Sequence, residues 1–101
     1  MAAFTYIVEC SDGSLYTGWT CNIEHRIEAH NGTVPGGAKY TKSRRPVRLV
    51  WSASCNTKET ACKLEYYIKQ MPKYKKNKII QGDYADIDDY ISEASCVIIK
   101  G

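Results

Sequence analysis

What the 101-residue chain lacks narrows it first. No stretch approaches the roughly 18 consecutive apolar residues that cross a bilayer, and the N-terminus lacks the basic-then-apolar pattern of a secretion signal. The expected compartment is the cytoplasm, or the nucleus or a viral factory if the source is eukaryotic or viral. There is no Cys-x-x-Cys pair. The five cysteines are odd in number and irregularly spaced, which argues against a disulfide framework and a structural zinc site. They read as reduced, mostly buried thiols. There is no internal repeat. Wholesale disorder is also out, because 44% hydrophobic and 25% charged residues are globular values. One domain of this size buries a modest core without staples.

Acidic charge is scarce where it would offset the basic body. Residues 1–80 carry 13 Lys+Arg against 6 Asp+Glu, whereas 81–101 carry 1 against 5. That division fits a polyanion-binding body, 1–80, followed by an acidic extension, 81–101. The same counts also fit solvated surface charge with a solubilising tail.

The apolar patterning predicts an α+β chain. Phe4, Tyr6 and Val8 alternate with Thr5, Ile7 and Glu9, so Phe4 to Cys10 reads as a strand. Asp12-Gly13 signals a hairpin, with Leu15 to Trp19 returning. Asn22 can cap a helix that runs to His30 and ends at Asn31-Gly32. A Pro/Gly loop, 33–37, precedes a polar, basic segment, 38–45, read as a short helix. Val47 to Ala53 makes a third strand. Asn56 with Glu59 resembles a capping arrangement for a helix to Met71, with Ala61, Leu64, Ile68 and Met71 as its apolar stripe. Pro72 opens a further helix to Ile80. The extension is read as adding a helical turn near 87–91 and a last apolar run, 97–99. The order β-β-α-β-α-α predicts a three-stranded antiparallel sheet flanked by helices.

Several polar residues break the amphipathic pattern. Arg26 and His30 lie three and seven residues after Ile23, on or beside the core side of the first helix. Glu65 rides the edge of the Ala61–Leu64–Ile68 stripe. Each has an ordinary reading. Arg26 can snorkel to solvent. His30 can sit as a cation at a helix C-terminus. Glu65 can pair with Lys69. Together with Tyr6 and Tyr16, however, they form the set that phosphodiester hydrolysis requires. A carboxylate holds a divalent metal, a guanidinium grips the phosphate, and a phenol or imidazole helps deprotonate water.

In order and spacing these residues resemble the GIY-YIG nuclease superfamily, closest to its small stand-alone members. Its first signature stands here as Phe4-Thr5-Tyr6, keeping only the tyrosine, and its second as Tyr16-Thr17-Gly18, followed by Trp19. The arginine falls at Arg26 and the His/Tyr position at His30. "GAKYT" with Arg44-Arg45-Pro46 supplies Tyr40, the glutamate is Glu65, and Asn77 matches a position twelve residues further on. The resemblance covers residues 4–80. It implies metal-dependent endonuclease cleavage of DNA with Mg2+ or Mn2+, Glu65 as metal ligand, and Tyr6, Tyr16, Arg26, His30 and Glu65 as the catalytic set. It also implies substrate contacts from Tyr40 and Asn77, and the basic residues Lys39, Lys42, Arg44, Arg45, Lys73, Lys75 and Lys76 are candidate contacts to the nucleic-acid backbone. The expected pathway is DNA repair or recombination, with structure-selective or weak sequence preference. RNA as substrate, homodimerisation and a protein partner for the acidic tail stay open. The rival reading is a non-catalytic nucleic-acid-binding module with the same fold.

Geometry makes one sharp demand. A two-residue Asp12-Gly13 turn would pair Ser11 with Ser14 and put Tyr6 and Tyr16 on opposite faces of the sheet. A three-residue or bulged connection puts both phenols on one face. The nuclease reading requires the longer connection, with both phenols facing the first helix.

Overall fold

The computed structural model describes residues 2–88, 91 and 96–99. Strands β1 (Ala3–Glu9) and β2 (Leu15–Thr20) form a hairpin followed by helix α1 (Ile23–His30). Helix α2 (Lys39–Lys42) and strand β3 (Arg48–Cys55) come next. Helices α3 (Lys58–Lys69) and α4 (Lys73–Ile80) and a short strand β4 (Val97–Ile98) complete the order.

The sheet has four strands rather than the expected three, in the order β2-β1-β3-β4, and β1–β2, β1–β3 and β3–β4 all pair antiparallel. The fourth is the apolar run of the acidic extension, with Ile98 opposite Ala53 and Val97 opposite Ser54. Two residues of β-former were too little signal to assign as a strand from sequence. The expected turn near 87–91 lies partly outside the described residues. Within them, the Ile91 N–H donates to the Ile87 carbonyl at 2.9 Å, and Ile87 is buried.

The hairpin takes the longer connection. The Cys10 N–H donates to Ser14 O at 2.8 Å and the Gly13 N–H to Cys10 O at 3.0 Å. Gly13 sits at φ 84°, where a side chain would be strained. This three-residue loop sets Val8 opposite Tyr16 and Tyr6 opposite Gly18. Paired residues share a face, so both phenols project to the same side.

The sheet therefore has two unlike faces. The larger core lies on one, where Ile7, Trp51 and Ala53 meet Ala61, Leu64 and Ile68 of α3 and Ile79 of α4. Burying each large aliphatic chain there contributes about 1.5–3 kcal/mol. Thr5 Oγ1 donates to Ala61 O at 2.7 Å, fixing α3 to β1. A smaller cluster of Tyr6, Val8, Cys10 and Val47 lies on the other, with Tyr16, Ile27 and Leu49 against it. A one-residue register shift between Ile7 and Val8 in the β1–β3 ladder sets Leu49 opposite Val8, keeping it in that cluster.

Helix starts follow local chemistry. Asn22 caps α1, its side chain accepting from the His25 N–H at 3.1 Å. For α3 the cap is Thr57 rather than Asn56: Thr57 Oγ1 accepts from the Thr60 N–H at 3.1 Å. All five cysteines are free, and Cys10, Cys55 and Cys96 are buried. No described helix is long and apolar enough to cross a membrane.

Candidate active site

The smaller cluster carries a buried polar chain. Tyr6, His30 and Thr41 are each 0% exposed. Tyr6 Oη lies 2.6 Å from His30 Nε2, and Arg26 Nε donates to the same phenol oxygen at 3.3 Å. His30 Nδ1 lies 2.9 Å from Thr41 Oγ1, which itself donates to Ala38 O at 3.0 Å.

Counting hydrogens fixes the imidazole tautomer. Thr41 has one hydroxyl hydrogen and directs it to Ala38, so toward His30 it can only accept. Nδ1 therefore carries the proton, Nε2 is bare, and Tyr6 donates to Nε2. Burial, followed by the like charges of Arg26 and Arg45, pushes the His30 pKa down to about 4, so the ring is neutral at pH 7. The alternative of a cation at the helix C-terminus is disfavoured, because desolvation and two guanidiniums outweigh the helix dipole. Burial pushes the Tyr6 phenol up to about 12 despite the opposing pull of Arg26. Burial lowers the Arg26 pKa, but hydrogen bonding and charge from Tyr6, followed by Tyr16, more than restore it, so its net shift is upward.

The spacing of Arg26 and His30 is one helical turn, so both side chains leave α1 toward β1 and meet at one oxygen. Arg26 Nη1 also donates to Gly36 O, which fixes the guanidinium plane. Gly18 makes room: a Cβ there would stand 2.5 Å from Tyr6 Oη. The glycine of Tyr16-Thr17-Gly18 is thus required by the phenol opposite it.

Tyr16 borders the chain on its half-exposed side, edge-on to His30 with centroids 5.2 Å apart. Tyr40 stacks on Tyr16 at 5.8 Å and 25°. Glu65 reaches this region from α3. Its charge is felt at Tyr6, and its Oε2 lies 3.8 Å from Lys69 Nζ, which itself stands 5.8 Å from the Tyr16 ring centre. The Glu65–Lys69 pair read as ordinary from sequence is therefore present, at the edge of the phenol cluster. Tyr6, Tyr16, Arg26, His30 and Tyr40 converge through direct contacts, and Glu65 is linked to their edge through Lys69.

The remaining expected contacts divide. Arg44 is tied up within the protein: Nε donates to Asp12 Oδ2 at 3.1 Å, Nη1 to Tyr40 O at 2.9 Å, and the guanidinium lies 4.0 Å over the Tyr40 ring. Arg45 Nε donates to His30 O at 2.7 Å, satisfying a carbonyl at the end of α1. Lys39 is exposed on α2. Lys73 and Asn77 lie on α4, and among the described residues their side chains make no hydrogen bond or ion pair with the cluster. Thr41 escaped sequence reasoning. It stands inside "GAKYT", but a hydroxyl in a polar, basic segment gives no sign of complete burial.

Among the described residues no three His, Cys, Asp or Glu side chains gather as a metal cage. The donor chemistry still fits magnesium or manganese. Such hard ions bind through one or two carboxylates and complete their shell with water and substrate phosphate. Glu65, 19% exposed at the rim, offers one such carboxylate.

A family model described as the GIY-YIG catalytic domain matches residues 2–79. The chain is 49% identical over 81 residues to the UPF0213 protein of Desulfotalea psychrophila, covering 80% of this chain and 73% of that one. It is 43% identical over 90 residues to the UPF0213 protein of Clostridium perfringens, covering 89% and 95%. The solution NMR structure of the UPF0213 protein from Bacillus halodurans superposes with a TM-score of 0.52 at 40% identity, over 83% of this chain and 90% of that one. With the signature tyrosines on one face and the family model spanning β1 to β3, α1 to α3 and all but the last residue of α4, this chain belongs to the GIY-YIG family of nuclease catalytic domains.

Proposed function

We propose that this protein is a divalent-metal-dependent endonuclease that hydrolyses a phosphodiester bond in DNA, acting in repair or recombination with structural rather than strong sequence preference. The observation that carries the reading is the meeting of Arg26 and His30 on the Tyr6 hydroxyl, with Tyr16 and Glu65 at its border. A binding module has no use for a lone carboxylate beside a buried phenol–imidazole pair.

In this reading Glu65 holds magnesium or manganese, which when bound polarises the phosphate and offsets charge on the leaving oxygen. Arg26 grips the phosphate. Its Nε is held by Tyr6 and Nη1 donates to Gly36 O, while Tyr16 also bonds the guanidinium, so a phosphate oxygen takes the N–H groups these partners leave. Tyr16, the half-exposed phenol, orients the attacking water. Tyr6 is no standing phenolate, since its proton is held to about 12. Fully buried, its oxygen accepts from Arg26 Nε and donates to His30 Nε2, which holds the guanidinium in place for the phosphate. Tyr40, Lys39, Lys73 and Asn77 contribute backbone contacts, which give affinity without sequence choice.

The test is cleavage of plasmid, single-stranded, flap and branched DNA with Mg2+ and with Mn2+, comparing wild type with Glu65→Ala and Arg26→Ala. Metal-dependent nicking by wild type, lost in both variants, is the expected result. Equal activity in all three proteins would mark a contaminant and sink the assignment.

A further inference from the structure

Beside the site, the loop 32–37 together with Lys42 and Arg45 lines an open surface cavity of about 550 Å3. Among the described residues its charged lining side chains are Lys42 and Arg45, both cationic. Neighbouring basic residues differ in this respect. Arg44 pairs with Asp12 at 3.1 Å and Arg48 with Glu9 at 2.7 Å, whereas among the described residues neither Lys42 nor Arg45 pairs with a carboxylate. Two like charges facing one concavity repel only weakly through solvent, and together they attract an anion.

The cavity is built rather than incidental. Arg45 is anchored through Nε to His30 O, and its Nη1 presses where a Cβ of Gly32 would stand at 2.6 Å. Gly32, at φ 83°, supplies both the turn and that clearance. The anchored fork leaves N–H groups at Nη1 and Nη2 in a fixed plane, suited to two oxygens of one phosphate, while Lys42 adds a mobile point charge. The cavity also shares a wall with the site, because Gly36, which borders it, accepts the Arg26 hydrogen bond.

We propose that this cavity binds a backbone phosphate of the substrate strand, flanking the phosphate held by Arg26. The inference rests on the nuclease reading and deepens it: the strand is gripped at two phosphates, on either side of Gly36. Inorganic phosphate shares the chemistry, so the test separates it from a polynucleotide.

Binding of a fluorescein-labelled single-stranded oligonucleotide is measured in EDTA by anisotropy across a salt series. Wild type, Lys42→Gln and Arg48→Gln are compared, and 15N-labelled wild type is titrated separately with oligonucleotide and with inorganic phosphate. Lys42→Gln is expected to flatten the slope of log affinity against log salt by about 0.7, the value for one lost single-strand phosphate contact. Arg48→Gln should leave the slope unchanged, and the oligonucleotide should move the amide resonances of residues 32–37. An unchanged slope for Lys42→Gln, or an equal change for both variants, overturns the proposal. So do loop shifts produced by inorganic phosphate but not by the oligonucleotide. If wild type cuts DNA yet gives these negative results, only the cavity assignment falls; if it neither binds nor cuts nucleic acid, the nuclease reading falls and takes the cavity with it.

Discussion

Replacing Thr41 with valine keeps the shape of a fully buried side chain and removes only its oxygen. His30 then has no acceptor for its Nδ1 hydrogen. The ring can respond by moving its proton to Nε2, but that turns the defect round: Nε2–H would donate to Tyr6 Oη, and the Tyr6 hydrogen would lose its acceptor. Either tautomer leaves one buried hydrogen unpaired, at a cost of about 1–3 kcal/mol. The Ala38 carbonyl, half-exposed at the start of α2, can turn to water instead. For a domain near 100 residues, a loss of about 2 kcal/mol lowers Tm by roughly 8–16 °C. Thr41→Ser, which restores the oxygen, should recover most of it. Thermal unfolding of the three proteins measures the loss. Long-range 15N spectra of the His30 ring measure its cause, with wild type expected to carry the proton on Nδ1 at pH 7. A wild-type ring protonated on Nε2, or on both nitrogens, would refute the hydrogen count, as would a valine variant that unfolds at the wild-type temperature.

Gly18→Ala should destabilise by about 1–3 kcal/mol through overpacking, since its methyl group would stand 2.5 Å from Tyr6 Oη. Cleavage should fall with it as the phenol is displaced, and an alanine variant with wild-type Tm and activity would contradict the packing. Stability should depend on pH in a window set by His30. Its folded pKa, about 4, lies below the ordinary value of 6.5, so the unfolded chain binds the proton first. The contribution is complete above about pH 6.5 and is lost as pH falls toward 4. Hydrogen bonds from Ser14 hold the Asp12 carboxyl below its ordinary value, so its contribution is lost only at still lower pH. Urea unfolding at fixed pH values reads this profile, and a flat midpoint from pH 7 to 4.5 would contradict a neutral buried imidazole.

Much of this was legible because period and spacing encode faces. Ile23, Ile27, Arg26 and His30 state which side of α1 carries the site, and Ala61, Leu64 and Ile68 state which side of α3 is buried. The hairpin register was legible only conditionally. Asp12-Gly13 is compatible with two loop lengths, and the requirement that both tyrosines share a face chose between them. What could not be read was decided by tertiary contact. Arg44 and Arg45 look interchangeable in sequence, yet one is paired with Asp12 and the other bonds the end of α1 and faces a cavity. The fourth strand exists because β3 offers it an edge, which two residues of local propensity could not announce. Thr41 is buried by the approach of α2 to α1, and no periodic pattern marks a single turn of helix.

The two faces of the sheet divide the work, and that division explains how so small a domain tolerates its site. A buried phenol, imidazole and hydroxyl, with a guanidinium on the same oxygen, add little to stability and become costly when any hydrogen loses its acceptor. Here they sit on the face with the smaller apolar cluster, under an eight-residue helix. The opposite face, with Trp51, Leu64, Ile68, Ile79 and Ile87 fully or almost fully buried, supplies most of the apolar burial that outweighs chain entropy. Glu65 joins the two. It stands on α3, whose apolar stripe belongs to the larger core, yet its carboxylate pairs with Lys69, whose ammonium lies 5.8 Å from the Tyr16 ring centre at the edge of the smaller cluster. The carboxylate proposed to hold the metal therefore stands on a helix of the larger core, and the arginine proposed to grip the phosphate stands on the helix over the smaller cluster. A change that loosens α1 should disturb Arg26 and leave Glu65 in place.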